Sequence, residues 1–143
     1  MGGTILCGID DSRGARAALQ LAAALSKRLD LRLVVAHVAP EAAADQSERL
    51  VSRTLEQAGL DGTADRRVVA GERAARLAQI AAEEGADLII VGSGRGGRLR
   101  LRPGSALARE LESASSCPVL IAPAQTRPRS HQRLARAALE TAS

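Results

Sequence analysis

The chain has 143 residues and a formal net charge of +4, with no Phe, Tyr or Trp. That length suits one domain with its own core, and the missing aromatics exclude nucleic-acid recognition by base stacking. All but one of the 20 basic residues are Arg, and their scatter along the chain argues against a dedicated nucleic-acid face.

No secretory pattern opens the sequence, and no apolar run approaches a membrane-spanning length. Gly2 suits a myristoylation start, but position 6 is Leu6 where that signal needs Ser or Thr. The expectation is a cytoplasmic protein without a membrane partner. Cys7 and Cys117 each sit in an apolar, strand-like run. They read as small buried side chains, not as a disulfide or metal pair.

In chain order, Thr4 to Ile9 is a buried strand, ended by Asp10-Asp11-Ser12, which supplies N-cap oxygens for a helix. That helix spans about Arg13 to Leu29, with Ala17, Ala18, Leu21, Ala24 and Leu25 on its apolar face. Leu31 to Val38 is a second strand, broken by Ala39-Pro40. Glu41 to Ala58 is helical, with Leu50, Val51, Thr54 and Leu55 on one side and Gly59 as C-terminal cap. Asp65 to Ala70 is a strand near an edge, because Arg66 and Arg67 interrupt its apolar pattern. Arg73 to Glu84 is a third helix, capped by Gly85. Glu83-Glu84 and Arg66-Arg67 read as solvated charge.

Leu88 to Val91 has the length and composition of a fully buried parallel strand. Gly92, Gly94, Gly96 and Gly97 follow, then four Arg residues (Arg95, Arg98, Arg100 and Arg102) within and after them, and then Pro103-Gly104-Ser105. The glycines let the backbone turn tightly and approach a ligand. Gly104-Ser105 opens a helix over Ser105 to Ser115, and such a helix start presents free N–H groups to an anion. Pro118 to Ala122 is a fifth strand. The remainder, 125–143, is a basic tail, either frayed or a short helix through Leu134, Ala135, Ala138 and Leu139.

Strands alternate with helices throughout, which argues for an α/β sandwich with a mostly parallel sheet and right-handed crossovers. Ligands of such sheets sit outside the carboxyl ends of the strands, where strand order reverses. If the first and fourth strands are neighbours there, Asp10 and the glycine loop face one crevice.

Other chemistries find less support. Gly92, Gly94 and Gly97 match the dinucleotide fingerprint, but no helix starts at once and the glycines follow the fourth strand. The P-loop lysine is absent, since the sole lysine is Lys27. His37 within a strand reads as a satisfied core or edge residue more readily than as a base. No catalytic triad or metal cluster is visible, so at most slow hydrolysis or phosphate transfer is expected. Asp10 and Asp11 could bind Mg²⁺ carried by a nucleotide, since hard oxygen ligands suit it, while Asp11 reads at least as readily as a helix cap.

The opening ILCGIDDSRGARAAL and the closing SGRGGRLRLRPGSALARELESASSCPVLIAP resemble the universal stress protein family over about Thr4 to Pro123. The ATP-binding branch of that family carries Gly, two residues, Gly, nine residues, Gly, then Ser or Thr. Gly94, nine residues, Gly104 and Ser105 fit its second and third parts, while Gly92 precedes Gly94 by one residue, not two. The loop also has Arg102-Pro103 where the family usually has aliphatic residues.

The resemblance implies a Rossmann-like, five-stranded sheet of order 3-2-1-4-5 in a domain over 1–124, with 125–143 outside it. It implies that Ile9 and Asp10 contact the adenosine part of ATP and that Val38 lines the adenine pocket. Gly92 and Gly94 would admit the ribose and phosphates, and Gly104 and Ser105 would hold phosphate oxygens. A role in stress response or signalling is implied, and a homodimer through the edge strand Pro118–Ala122. The alternative is a dimeric interaction module of the same fold that binds no nucleotide.

Overall fold

The computed structural model describes residues 2–10, 13–39, 44–92 and 105–123. Nine elements alternate: β1 (Thr4–Gly8), α1 (Arg13–Leu29), β2 (Arg32–Ala39), α2 (Ala44–Gln57), β3 (Asp65–Ala70), α3 (Arg73–Glu84), β4 (Leu88–Gly92), α4 (Ser105–Ala114) and β5 (Val119–Ala122). The strands form one sheet of order β3-β2-β1-β4-β5. Every pairing is parallel, so the expected architecture and strand order are those observed. The tail 125–143 lies outside the described residues.

Period-two alternation sorts the strand side chains into two cores. Ile5, Cys7, Leu33, Val35 and Ile90 face α1 and α2, where they meet Ala15, Ala18, Leu19, Ala22, Val51 and Leu55. Leu6, Val34, Ala36, Val38, Ile89 and Val91 face α3 and α4, where they meet Ala74, Leu77, Ile80, Ala81 and Leu111. The largest fully buried side chains are Ile, Leu and Val. Burying each of these contributes about 1.5–3 kcal/mol.

Small residues set how closely the helices pack. On α1 the buried residues are Ala15, Ala17, Ala18, Leu19 and Ala22. Ala24, expected on that face, is exposed, and Leu21 and Leu25 are only half-buried. On α2, Val51 and Leu55 are fully buried, with Leu50 and Thr54 at the margin, as their spacing predicts.

Both expected glycine caps are present. Gly59 adopts φ 71°, and the N–H groups of Gly59 and Leu60 donate to Glu56 and Leu55 carbonyls. Gly85 adopts φ 65°, and the N–H groups of Gly85 and Ala86 donate to Ala82 and Ala81. Each pair satisfies two otherwise orphaned helix carbonyls. The other end of α3 is closed by Glu72, whose carboxylate accepts from the backbone N–H groups of Ala74 (3.2 Å) and Ala75 (2.8 Å). The expected cap of α1 at Asp11-Ser12 and the start of α2 at Glu41 lie outside the described residues.

Two sequence expectations about charge and sulfur are corrected. Glu83, Glu84, Arg66 and Arg67 are not simply solvated. Arg67 pairs with Glu83 (2.8 Å) and Glu84 (2.7 Å), and Arg32 pairs with Glu84 (2.6 Å) and Asp65 (2.7 Å). Arg66 reaches Ser52 and Asp61. The partners of Arg32 and Arg67 come from β3 and α3, and those of Arg66 from α2 and the turn after it, which sequence alone does not bring together. Cys7 is fully buried, which pushes its thiol up to about 12. Cys117 instead lies just before β5 and is half-buried, its Sγ donating to the Ala86 carbonyl at 3.4 Å. Both are free thiols.

Candidate functional site

β1 pairs with β2 on one side and β4 on the other, so strand order reverses at β1. A cavity of about 220 Å³ opens there, beyond the strands' carboxyl ends. Its floor comes from Gly8 at the end of β1, Ile9 and Asp10 just after it, Ala36 and Val38 of β2, and Val91 and Gly92 of β4. Arg73 and Leu77 of α3 and Ala106 and Leu107 of α4 form one wall, and Ala15 of α1 lies opposite. Small side chains under the cavity leave room above the sheet. At Gly8 an added Cβ would already press on Leu77 at 3.1 Å.

The structure thus gathers Ile9, Asp10, Val38 and Gly92 around one space. The first and fourth strands are neighbours, and Asp10 and the root of the glycine loop share the crevice. Ser105 opens α4, whose next two residues line the same cavity. Gly94, Gly104 and Asp11 lie outside the described residues. So do the loop arginines Arg95, Arg98, Arg100 and Arg102.

Gly92 has a second reason to be glycine. A Cβ at this position would lie 2.5 Å from the carbonyl carbon and oxygen of Gly14 and 3.0 Å from its Cα. The first turn of α1 therefore rests on the end of β4 with no side chain between them. The sequence marks Gly92 for a tight turn and ligand approach and gives Gly14 no role.

Arg73 was also missed. Its sequence position marks it only as a helix start. In space its Nη1 donates to Asp10 Oδ2 at 3.5 Å, which sets a cation beside the cavity's carboxylate. The N-terminal amides of α3 already serve Glu72. Positive potential from this wall therefore comes from the guanidinium more than from the helix end. The walls are otherwise aliphatic, with Val38, Leu77, Val91 and Leu107. An apolar slot with one acid and one base fixed at its rim suits a flat, partly polar ligand.

His37 is buried, and its Nδ1 lies 2.8 Å from the Ile9 carbonyl. It is a satisfied strand histidine, as expected. Among the described residues, no three His, Cys, Asp or Glu side chains group to hold a metal, and no helix is long and apolar enough to cross a membrane.

A doubly wound parallel sheet with a ligand-sized crevice at its switch point is the α/β architecture that receives ligands outside the carboxyl ends of its strands. The family model described as "Universal stress protein family" matches residues 1–123, and the chain belongs to that family. No curated protein matches the sequence.

Solved structures give the same fold. A universal stress protein in complex with cAMP is 22% identical, with a TM-score of 0.68, covering 86% of this chain and 98% of its own. A protein of this family from Burkholderia pseudomallei is 26% identical, with a TM-score of 0.65 and coverages of 83% and 94%. The universal stress protein from Archaeoglobus fulgidus in complex with dAMP is 18% identical, with a TM-score of 0.59 and coverages of 83% and 96%.

Proposed function

We propose that this protein binds an adenine nucleotide, ATP foremost, in the cavity at the end of β1. The observation that carries the reading is the convergence of Ile9, Asp10, Val38 and Gly92, from three strands, with the start of α4 on one apolar slot. Two similar structures hold cAMP and dAMP, which share an adenine, a sugar and one phosphate. The cavity offers matching chemistry. Val38 and Leu77 supply apolar faces for the base, Asp10 accepts from sugar hydroxyls, and Arg73 offers a cation to phosphate.

In this reading Gly94 and Gly104 bring backbone N–H groups to the phosphates, with the Ser105 hydroxyl beside them. Mg²⁺ arrives on the phosphates, with Asp10 beside them as an oxygen ligand. The protein acts in stress response or signalling in the cytoplasm, by carrying nucleotide and not by rapid turnover.

The unit is a homodimer joined at β5. The two sheet edges differ in a way that supports this. β3 carries Asp65, Arg66 and Arg67, and charge blunts such an edge. β5 carries no charge, and Leu120 and Ile121 are 38% and 37% exposed. That apolar edge also favours the second reading, an interaction module that binds no nucleotide.

Calorimetric titration with ATP and Mg²⁺, with AMP and NAD in parallel, separates the two. Saturable heat with ATP or AMP, abolished by Gly104→Asp, is expected. No heat in protein shown free of carried-over nucleotide would leave the interaction module standing.

A further inference from the structure

Ile9 is the last residue before Asp10, and both of its backbone polar groups are tied to β2. Its N–H donates to the Ala36 carbonyl at 2.9 Å, one step beyond the last β1–β2 register pair at Gly8 and Ala36. Its carbonyl faces His37 Nδ1 at 2.8 Å. A carbonyl only accepts, so Nδ1 carries the proton. Strand alternation places Ala36 and Val38 on the cavity side and His37 on the α1–α2 side. The imidazole therefore grips the chain from beneath the sheet, while Asp10 emerges above it beside Arg73.

We propose that His37 is a positioning residue for Asp10: its Nδ1–H fixes the Ile9 carbonyl and so the direction in which Asp10 enters the nucleotide cavity. The role in binding rests on the nucleotide reading, but the positioning itself does not. A backbone carbonyl at a strand end otherwise turns toward water. Held by a buried ring, it sets the ψ of Ile9 and hence the start of the Asp10 residue. His37 is 8% exposed, so no solvent competes strongly for that bond. The same strand segment that lines the cavity with Val38 thereby also aims its carboxylate.

Side-chain reach gives the test. In Asn the amide N–H sits close to where His Nδ1 sits, whereas Gln carries it out toward the Nε2 position. The full chain, free of nucleotide, is compared as wild type, His37→Asn and His37→Gln by the NMR signals of the Asp10 amide and carboxyl carbon. Wild-type-like Asp10 signals in H37N with displaced signals in H37Q are expected. Unchanged Asp10 signals in H37Q, or equal displacement in both variants, overturn the proposal.

Titration with AMP then reads the consequence. H37Q weakens binding about tenfold, the effect of one lost buried hydrogen bond. H37Q adds nothing further in an Asp10→Asn background, because the two residues act through one contact. Full additivity would overturn the route through Asp10. If wild type binds no AMP or ATP, the nucleotide reading falls, and the ligand-free signals still decide whether His37 positions Asp10.

Discussion

At Gly92 the available space is set by backbone, not by side chains that can move aside. A methyl group there would meet the Gly14 carbonyl at 2.5 Å, so α1 must shift away from β4 to admit it. Gly92→Ala is expected to lower stability by about 1–3 kcal/mol, the usual cost of overpacking, read from the denaturant midpoint at unchanged slope. The glycine was legible in the sequence as a special position. Its partner was not, because Gly14 and Gly92 meet only when α1 folds back over the sheet. Arg73 was hidden for the same reason. Its pairing with Asp10 joins the ends of β1 and β3 across β2, and no local pattern records that neighbourhood.

Element boundaries were largely legible, because glycine caps and buried strands leave strong local signals. Gly85 shows why: φ 65° suits glycine, and Gly85→Ala is expected to cost about 1 kcal/mol, visible as a lower thermal midpoint. The buried face of α1 was less legible. Alanine stands at 17, 18, 22, 23 and 24, so helical periodicity does not choose among neighbouring faces, and the stripe is set by what β1 and β4 offer.

The ion pairs between elements have a pH consequence. Arg32 and then Arg67 donate to Glu84, and Arg67 donates to Glu83, holding both carboxyls below the usual carboxylate range. A depressed folded-state value means the pairs stabilise the fold above the ordinary glutamate range, and this contribution fades as pH falls through the folded value. The thermal midpoint of the wild type should therefore fall more steeply below about pH 4.5 than that of Glu84→Gln. Because these groups are largely at the surface, added salt should narrow the difference. Parallel acid profiles for the two proteins would contradict this.

At the scale of the molecule, the alternation of strand and helix was enough to read a parallel α/β sheet, and the family resemblance supplied its order. The order explains where the cavity lies: β1 is flanked by β2 and β4, and the chain leaves it in both directions. The two edges predict the assembly. Ile121→Lys, a change at an exposed position, should yield a monomer in sedimentation while thermal stability at low protein concentration stays near wild type. A wild-type monomer at high concentration would overturn the proposed dimer.

In the proposed function an adenine nucleotide occupies the space between the ends of β1, β2 and β4. The most direct measurement follows backbone amide signals during titration with ATP, with an AMP series alongside. Shifts concentrated at Ile9, Asp10, Val38, Arg73, Gly92 and Ala106 are predicted. An unperturbed cavity at saturating nucleotide, with changes confined to β5 or to the outer face of α4, would contradict the account.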